Sequence, residues 1–190
     1  SGTTTLYLDG VSKGTWSDST NYTDQGPFVI GRHGNSSNAT YCLNGYISNL
    51  RIVKGTAVYT SNFTVPTSPL TAITNTKLLT AHKNNEVTDG SNSNHTITKV
   101  GNVTEHASNP FPGNTVGYGS LYFDGTQDYV TVNSSTDFTF GTGAFSIECF
   151  YIPNFDTNGS STIFLYDIGS ENIRVTFKNG DIRAQIDSET

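Results

Sequence analysis

Methionine is absent from this sequence, tryptophan occurs once, at Trp16, and cysteine only twice, at Cys42 and Cys149. Two cysteines in 190 residues are too few for a disulfide-stapled scaffold. The spacing leaves open whether these two pair or stay free. Charge is scarce as well. Only 14% of residues are charged, and 10 Lys and Arg stand against 16 Asp and Glu, for a net charge of −6. Without a basic stripe, sequence-independent nucleic-acid binding is excluded, and anionic membrane surfaces are poor partners. No stretch approaches the ~18 apolar residues of a membrane-spanning helix. There is no leading Met and no signal-peptide pattern. The chain opens on Ser1, directly before a strand-like run, and reads as a fragment or a processed product.

Long helical periodicity is the next absence. Thr, Ser and Asn crowd the chain, and aromatics, at 12%, recur inside β-branched runs. That mixture suits an exposed β-protein with polar loops and argues against a disordered tail. TTLYLDGVSKGTW alternates, turns at Asp9-Gly10 and resumes, and an Asp-Gly pair tolerates the positive φ angles of a tight hairpin. GPFVIG is a short strand. GYISNLRIV breaks alternation near Ser48-Asn49, where a bulge is expected. SLYFDGTQDYVTV predicts two strands around a turn at Asp124 to Asp128. FSIECFYI puts Phe145, Ile147, Cys149 and Tyr151 on one face. It and STIFLYDI read as strands in the middle of a sandwich or beneath covering loops.

IRVTFKNGDIRAQI is a hairpin around Asn179-Gly180, and short strands are expected at Leu78-Leu79 and Thr96 to Val100. The stretch carrying Pro66 and Pro69 is a connection along a domain edge. One helical turn is predicted at Tyr59 to Phe63, with Tyr59 and Phe63 as core staples. These elements predict an all-β fold, an antiparallel β-sandwich.

Three strings carry a resemblance. GYISNLRIVKGTAVYTSNFTVPTSPLTAITNTKLLT, at 45–80, resembles the C-terminal third of a laminin-G-like, concanavalin A-like jelly roll. It looks most like the version found in structural proteins of marine bacteriophages. GSLYFDGTQDYVTVNSSTDFTFGTGAFSIECFYI, at 119–152, resembles the N-terminal part of the same domain. TTTLYLDGVSKG, at 3–14, resembles the strand just after its midpoint. So LYLDG and LYFDG are not copies of one repeat unit. Their order is reversed from the family's, which makes residues 1–83 the back of a jelly roll and 84–190 the front of one. Two arrangements fit: a window cut from a tandem array, or a permuted fold whose parts close on each other. The family's strand with Trp-x-His is missing here, which favours the array. The resemblance implies a lectin-like module on a virion surface (a tail fibre, spike or capsid fibre). Its implied partners are a host-surface glycan, other virion subunits and further copies of itself.

The residues themselves speak against hydrolysis. Glu86, Glu105, Glu148, Glu171 and Glu189 form no E-x-D-x-x-E pattern, and no G-x-S-x-G or H-E-x-x-H occurs. Glu148 reads as structural, its carboxylate at the sheet surface, and no residue is given a catalytic role. His33, His82, His95 and His106 are expected as solvated loop residues. The resemblance implies that Ca²⁺ could be held on rim loops. Asp124 and Asp128 are the candidates, with Asp89 a poorer one; for Asp124 the plainer role is a turn residue. For a sugar, the loop from Trp16 to Gln25 has the right composition: Trp16 and Tyr22 as ring platforms, Asp18, Asn21 and Asp24 for hydroxyls. Trp16 reads equally as a cap on the core.

Overall fold

The computed structural model describes residues 2–23, 26–32, 42–113, 116–154, 160–168, 171–178 and 181–188. Thirteen strands run along them: β1 Gly2–Leu8, β2 Val11–Asp18, β3 Phe28–Ile30, β4 Asn44–Lys54, β5 Thr76–Thr80, β6 Ile97–Val100, β7 Thr104–His106, β8 Ser120–Asp124, β9 Tyr129–Val132, β10 Phe145–Pro153, β11 Ser160–Ile168, β12 Glu171–Lys178 and β13 Asp181–Ser188. The fold is all-β and every strand pair is antiparallel. The one helical turn among the described residues is 3-10, at Thr136–Phe138, capped by the Ser135 hydroxyl. The turn expected at Tyr59 to Phe63 is irregular chain instead.

β1 and β2 form a hairpin whose two turn residues, Asp9 and Gly10, have φ of 52° and 76°. Both angles are positive, which is what a two-residue turn needs to match the twist of its strands. The five-stranded sheet runs β10-β4-β8-β7, with β5 also pairing β4. The six-stranded sheet runs β13-β12-β11-β3-β9-β6. β10 ends its sheet's order; of the two readings of FSIECFYI, mid-sandwich or beneath covering loops, an interior place in the sheet is not the one observed. β8 and β9 lie in different sheets, so the Asp124–Asp128 link crosses between layers.

The bulge in β4 shows how sequence sets this packing. Ile47, Leu50 and Ile52 are all fully buried in the core, yet Ile47 and Leu50 are three apart, a spacing strict alternation forbids. The pairing with β10 slips between Glu148 and Phe150, opposite Asn49 and Leu50. Asn49 takes φ 54°, a left-handed conformation Asn tolerates better than most residues. Its Oδ1 accepts from the Leu70 N–H at 2.8 Å, and its own N–H donates to Ala81 O at 2.8 Å. The extra residue thus turns Leu50 inward and ties two distant segments to the sheet.

One core joins the two sheets, an arrangement consistent with a β-sandwich. Ile47, Leu78, Leu121 and Phe123 come from the five-stranded side; Phe28, Ile30, Val130 and Val132 come from the six-stranded side. Burying each such side chain contributes about 1.5–3 kcal/mol. Phe145, Ile147, Cys149 and Tyr151 pack against this core together, as their alternation predicts. Segments 1–83 and 84–190 are interleaved in it. β3 lies between β9 and β11, and β4 between β10 and β8. Cys42 and Cys149 are both free.

Candidate functional site

A groove of about 480 Å³ opens beside the β1–β2 hairpin. Its walls come from the hairpin, the 141–144 loop and β10, with Ile173, Val175 and Ala184 contributed by β12 and β13. The hairpin is fixed at both ends. At its tip, Gly10 O accepts from the Phe63 N–H at 2.9 Å, and Ser12 N–H donates to Asn62 Oδ1 at 2.9 Å. A Cβ on Gly10 would lie 2.0 Å from Phe63 O, so only glycine allows this approach. At its base, Thr4 Oγ1 donates to Asp18 Oδ2 at 2.8 Å across the strand pair. Just beyond, Tyr22 exchanges backbone hydrogen bonds with Gly141 at 3.0 and 2.8 Å.

Of the residues proposed for a sugar, Trp16, Asp18 and Tyr22 come together in this groove. Tyr22 is 2% exposed, its ring edge-on to Phe145 at 5.6 Å and its hydroxyl donating to Asp18 Oδ2 at 2.9 Å. It is a core residue, because a polar neighbourhood in sequence is covered in space by β10. Asp18 also accepts from the Thr20 N–H at 2.9 Å. Burial pushes its carboxyl up, but the bonds from Thr20, Thr4 and Tyr22 outweigh that and hold it below the usual carboxylate range. Trp16 is half-buried, and its indole N–H donates to no described residue. Asn21 is exposed and does not line the groove. Asp24 and His33 lie outside the described residues.

Two groove residues, Tyr59 and Glu148, escaped the reading of the loop. Tyr59 and Phe63, expected as core staples, lie outside the core cluster, half-buried and stacked at 3.6 Å. Phe63 in turn meets Tyr7 edge-on at 5.4 Å. Tyr59 lines the groove, and its hydroxyl donates to Glu148 Oε2 at 3.1 Å. Burial first, then the Glu148 carboxylate, raises the Tyr59 phenol, so it remains a donor. Glu148 also lines the groove, and its Oε1 accepts from Arg51 Nε at 2.8 Å and Nη2 at 2.6 Å. Each of the groove's carboxylates is thus held by its own neighbours. The alternating TTTLYL hints at a displayed strand, but nothing local in VYTSNF places Tyr59 beside Glu148.

The residues proposed for calcium serve the backbone. Asp128 is fully buried; its Oδ1 accepts from the Asn102 N–H and its Oδ2 from the Asp124 N–H. Asp124 Oδ1 accepts from Thr126 N–H at 2.7 Å, closing its own turn. Asp89 takes the N–H groups of Leu79, Ser91 and His95 and the Ser91 hydroxyl. Among the described residues, no three His, Cys, Asp or Glu side chains are grouped to hold a metal ion.

Histidines also depart from expectation. His82 is 7% exposed, and burial lowers its pKa, with Lys83 adding to the effect. His95 lies over the Phe138 ring, its Nε2 3.2 Å from Asp137 Oδ2. His106 sits on β7, exposed, at the rim of a second cleft of about 240 Å³ on the outer face of the five-stranded sheet. Tyr46 and Phe150 line that cleft, while its Ser48 and Ser120 hydroxyls donate to Gly119 O and Ser108 O.

In comparisons with protein-family models, curated proteins and solved structures, none matches the chain.

Proposed function

We propose that the chain is a non-catalytic, lectin-like β-sandwich module that binds glycan in the groove beside the β1–β2 hairpin. The observation that carries this reading is the groove's lining. The Trp16 and Tyr59 rings stand with the uncharged polar residues Thr4, Thr20, Thr60 and Thr142, and both carboxylates are already engaged. Aromatic faces cover the C–H surface of a sugar ring, and an indole N–H without a partner among the described residues and threonine hydroxyls suit its hydroxyl groups. Glycoside hydrolysis would need one carboxyl free to give a proton and another free to attack or activate water. Asp18 and Glu148 are instead tied to Thr4, Thr20, Tyr22, Arg51 and Tyr59.

The jelly-roll topology, concanavalin A-like and laminin-G-like, belongs to the same proposal. It is supported by two antiparallel sheets around one core and by the strings at 3–14, 45–80 and 119–152. The setting follows from the resemblance of residues 45–80: the surface of a phage virion, with host-surface glycan, sister copies and other virion subunits as partners. A second reading is favoured by the apolar side of the groove, where Ile147, Ile173, Val175 and Ala184 also line it. There a neighbouring subunit fills the groove, and the module is scaffold.

A glycan array probed with the wild type and Trp16→Ala separates the two. Glycan binding that Trp16→Ala abolishes, with an unchanged far-UV spectrum, supports the lectin. No glycan signal even at millimolar sugar leaves the scaffold.

A further inference from the structure

We infer that the groove selects uncharged oligosaccharides and rejects acidic ones, such as uronic-acid, sialylated or sulfated glycans. This rests on the groove being a carbohydrate site and names the class of sugar it takes. The described residues that line it include no Lys, Arg or His. They do include two carboxylates, Asp18 and Glu148. Glu148 has a cation, but that cation is already used: Arg51 is 6% exposed, with Nε and Nη2 on Glu148 Oε1 and Nη1 on Thr71 O at 2.8 Å. Asp18 has no cationic partner among the described residues. Its hydrogen bonds come from the Thr4 and Tyr22 hydroxyls and the Thr20 N–H, which stabilise the charge without cancelling it.

A ligand carboxylate or sulfate entering here would face an ionised Asp18, with no guanidinium or ammonium among the described lining residues to receive it. Proteins that recognise anionic groups supply such donors, most often as bidentate Arg. Here the chain as a whole, at −6, adds to the repulsion at long range. A neutral pyranose meets neither obstacle. Its C–H face lies on Trp16 or Tyr59, and its hydroxyls find the indole N–H and the threonines. Discrimination therefore comes from an element that disfavours the wrong ligand as much as from one that favours the right one.

The test uses the full chain and matched pairs of oligosaccharides, each neutral sugar beside its uronic-acid or sulfated counterpart, titrated at low and at high salt. Neutral members should bind at least about tenfold more tightly at low salt, and added salt should narrow the gap because screening weakens only the charged pair. Asp18→Asn should narrow it too, whereas Glu86→Gln, an exposed carboxylate outside the groove, should leave it unchanged. Acidic members bound as tightly as neutral ones would overturn the inference and leave the groove a glycan site. A gap that salt does not change would also overturn it, with no variant needed. If neither member of any pair binds, the carbohydrate reading itself falls.

Discussion

Arg51 Nη2 donates to Glu148 Oε1 at 2.6 Å, joining β4 to β10 across 97 positions of sequence. The two side chains are 7% and 19% exposed. A pair so withdrawn from water gains little net stability, because desolvation offsets the attraction. Removing one partner is another matter, since the remaining charge is stranded. Glu148→Leu should destabilise the fold by about 3–5 kcal/mol. Arg51→Met/Glu148→Leu together should recover most of that loss. Urea unfolding of the two single variants and the double variant measures the coupling. Equal losses in Glu148→Leu and the double variant would show that the pair does not act as a unit.

Asp128 should matter to stability and not to calcium. Its carboxylate is fully buried and turned onto the Asn102 and Asp124 N–H groups. A Cβ on Gly101, whose φ is 80°, would come within 2.3 Å of Asp128 Oδ1. Asp128→Ala leaves two N–H groups without their acceptor, at a cost on the order of 3 kcal/mol. Gly101→Ala should be comparably damaging. Addition of Ca²⁺ or of a chelator should leave the wild-type Tm unchanged. A Tm that rises with Ca²⁺ would contradict this account.

Much of the fold was legible because its signals are local. Asp9-Gly10 announces a turn by its tolerance of positive φ, and Ser48-Asn49 announces a bulge by breaking a two-residue period. The alternation of Phe145, Ile147, Cys149 and Tyr151 names the inward face of β10. What stayed hidden depends on partners far away in sequence. Nothing in FVI says that β3 inserts between β9 and β11. Tyr22 sits among Ser, Thr, Asn and Asp, and reads as exposed until Gly141 and Phe145 arrive to cover it. His82 looks like a loop residue and is buried beside Gly90, where a Cβ would fall 2.7 Å from its Nε2. Trp16 was singled out because a lone Trp beside polar loop residues is conspicuous, and Tyr59 was read as core because its place on the groove depends on Glu148, far away in sequence.

His82 and Asp18 should make the protein acid-sensitive in two separate windows. Burial lowers the His82 pKa below its usual ~6.5, so the unfolded chain binds the proton first. Stability due to keeping it neutral is present above about pH 6.5 and lost as pH falls from there through the lowered value. Asp18 also has a depressed pKa, but its reference is a carboxyl of ~3.9. Its contribution is present above that value and lost as pH falls through the folded value. Asp137 and Glu105, lowered as well, act in the same acidic window. His82→Gln should flatten the thermal-stability profile just below about pH 6.5 and leave the loss in the carboxylate range, below about pH 4. An unchanged slope near neutrality would remove His82 from this role.

Cys42 and Cys149 should both resist alkylation in the folded protein. Burial raises the Cys42 thiol, and burial pushes Cys149 up to about 12, with the neighbouring Glu148 carboxylate adding to it. The thiolate is the reactive form, so at neutral pH both thiols stay protonated, and Cys42 is buried as well. Cys149 is half-buried on β10, opposite the β4 bulge, and packs against the core. Iodoacetamide labelling should therefore be negligible in buffer and should rise along the same urea transition that reports unfolding, with mass spectrometry assigning each site. Rapid labelling of Cys149 under native conditions would mean that its thiol is not held in the protonated, unreactive form.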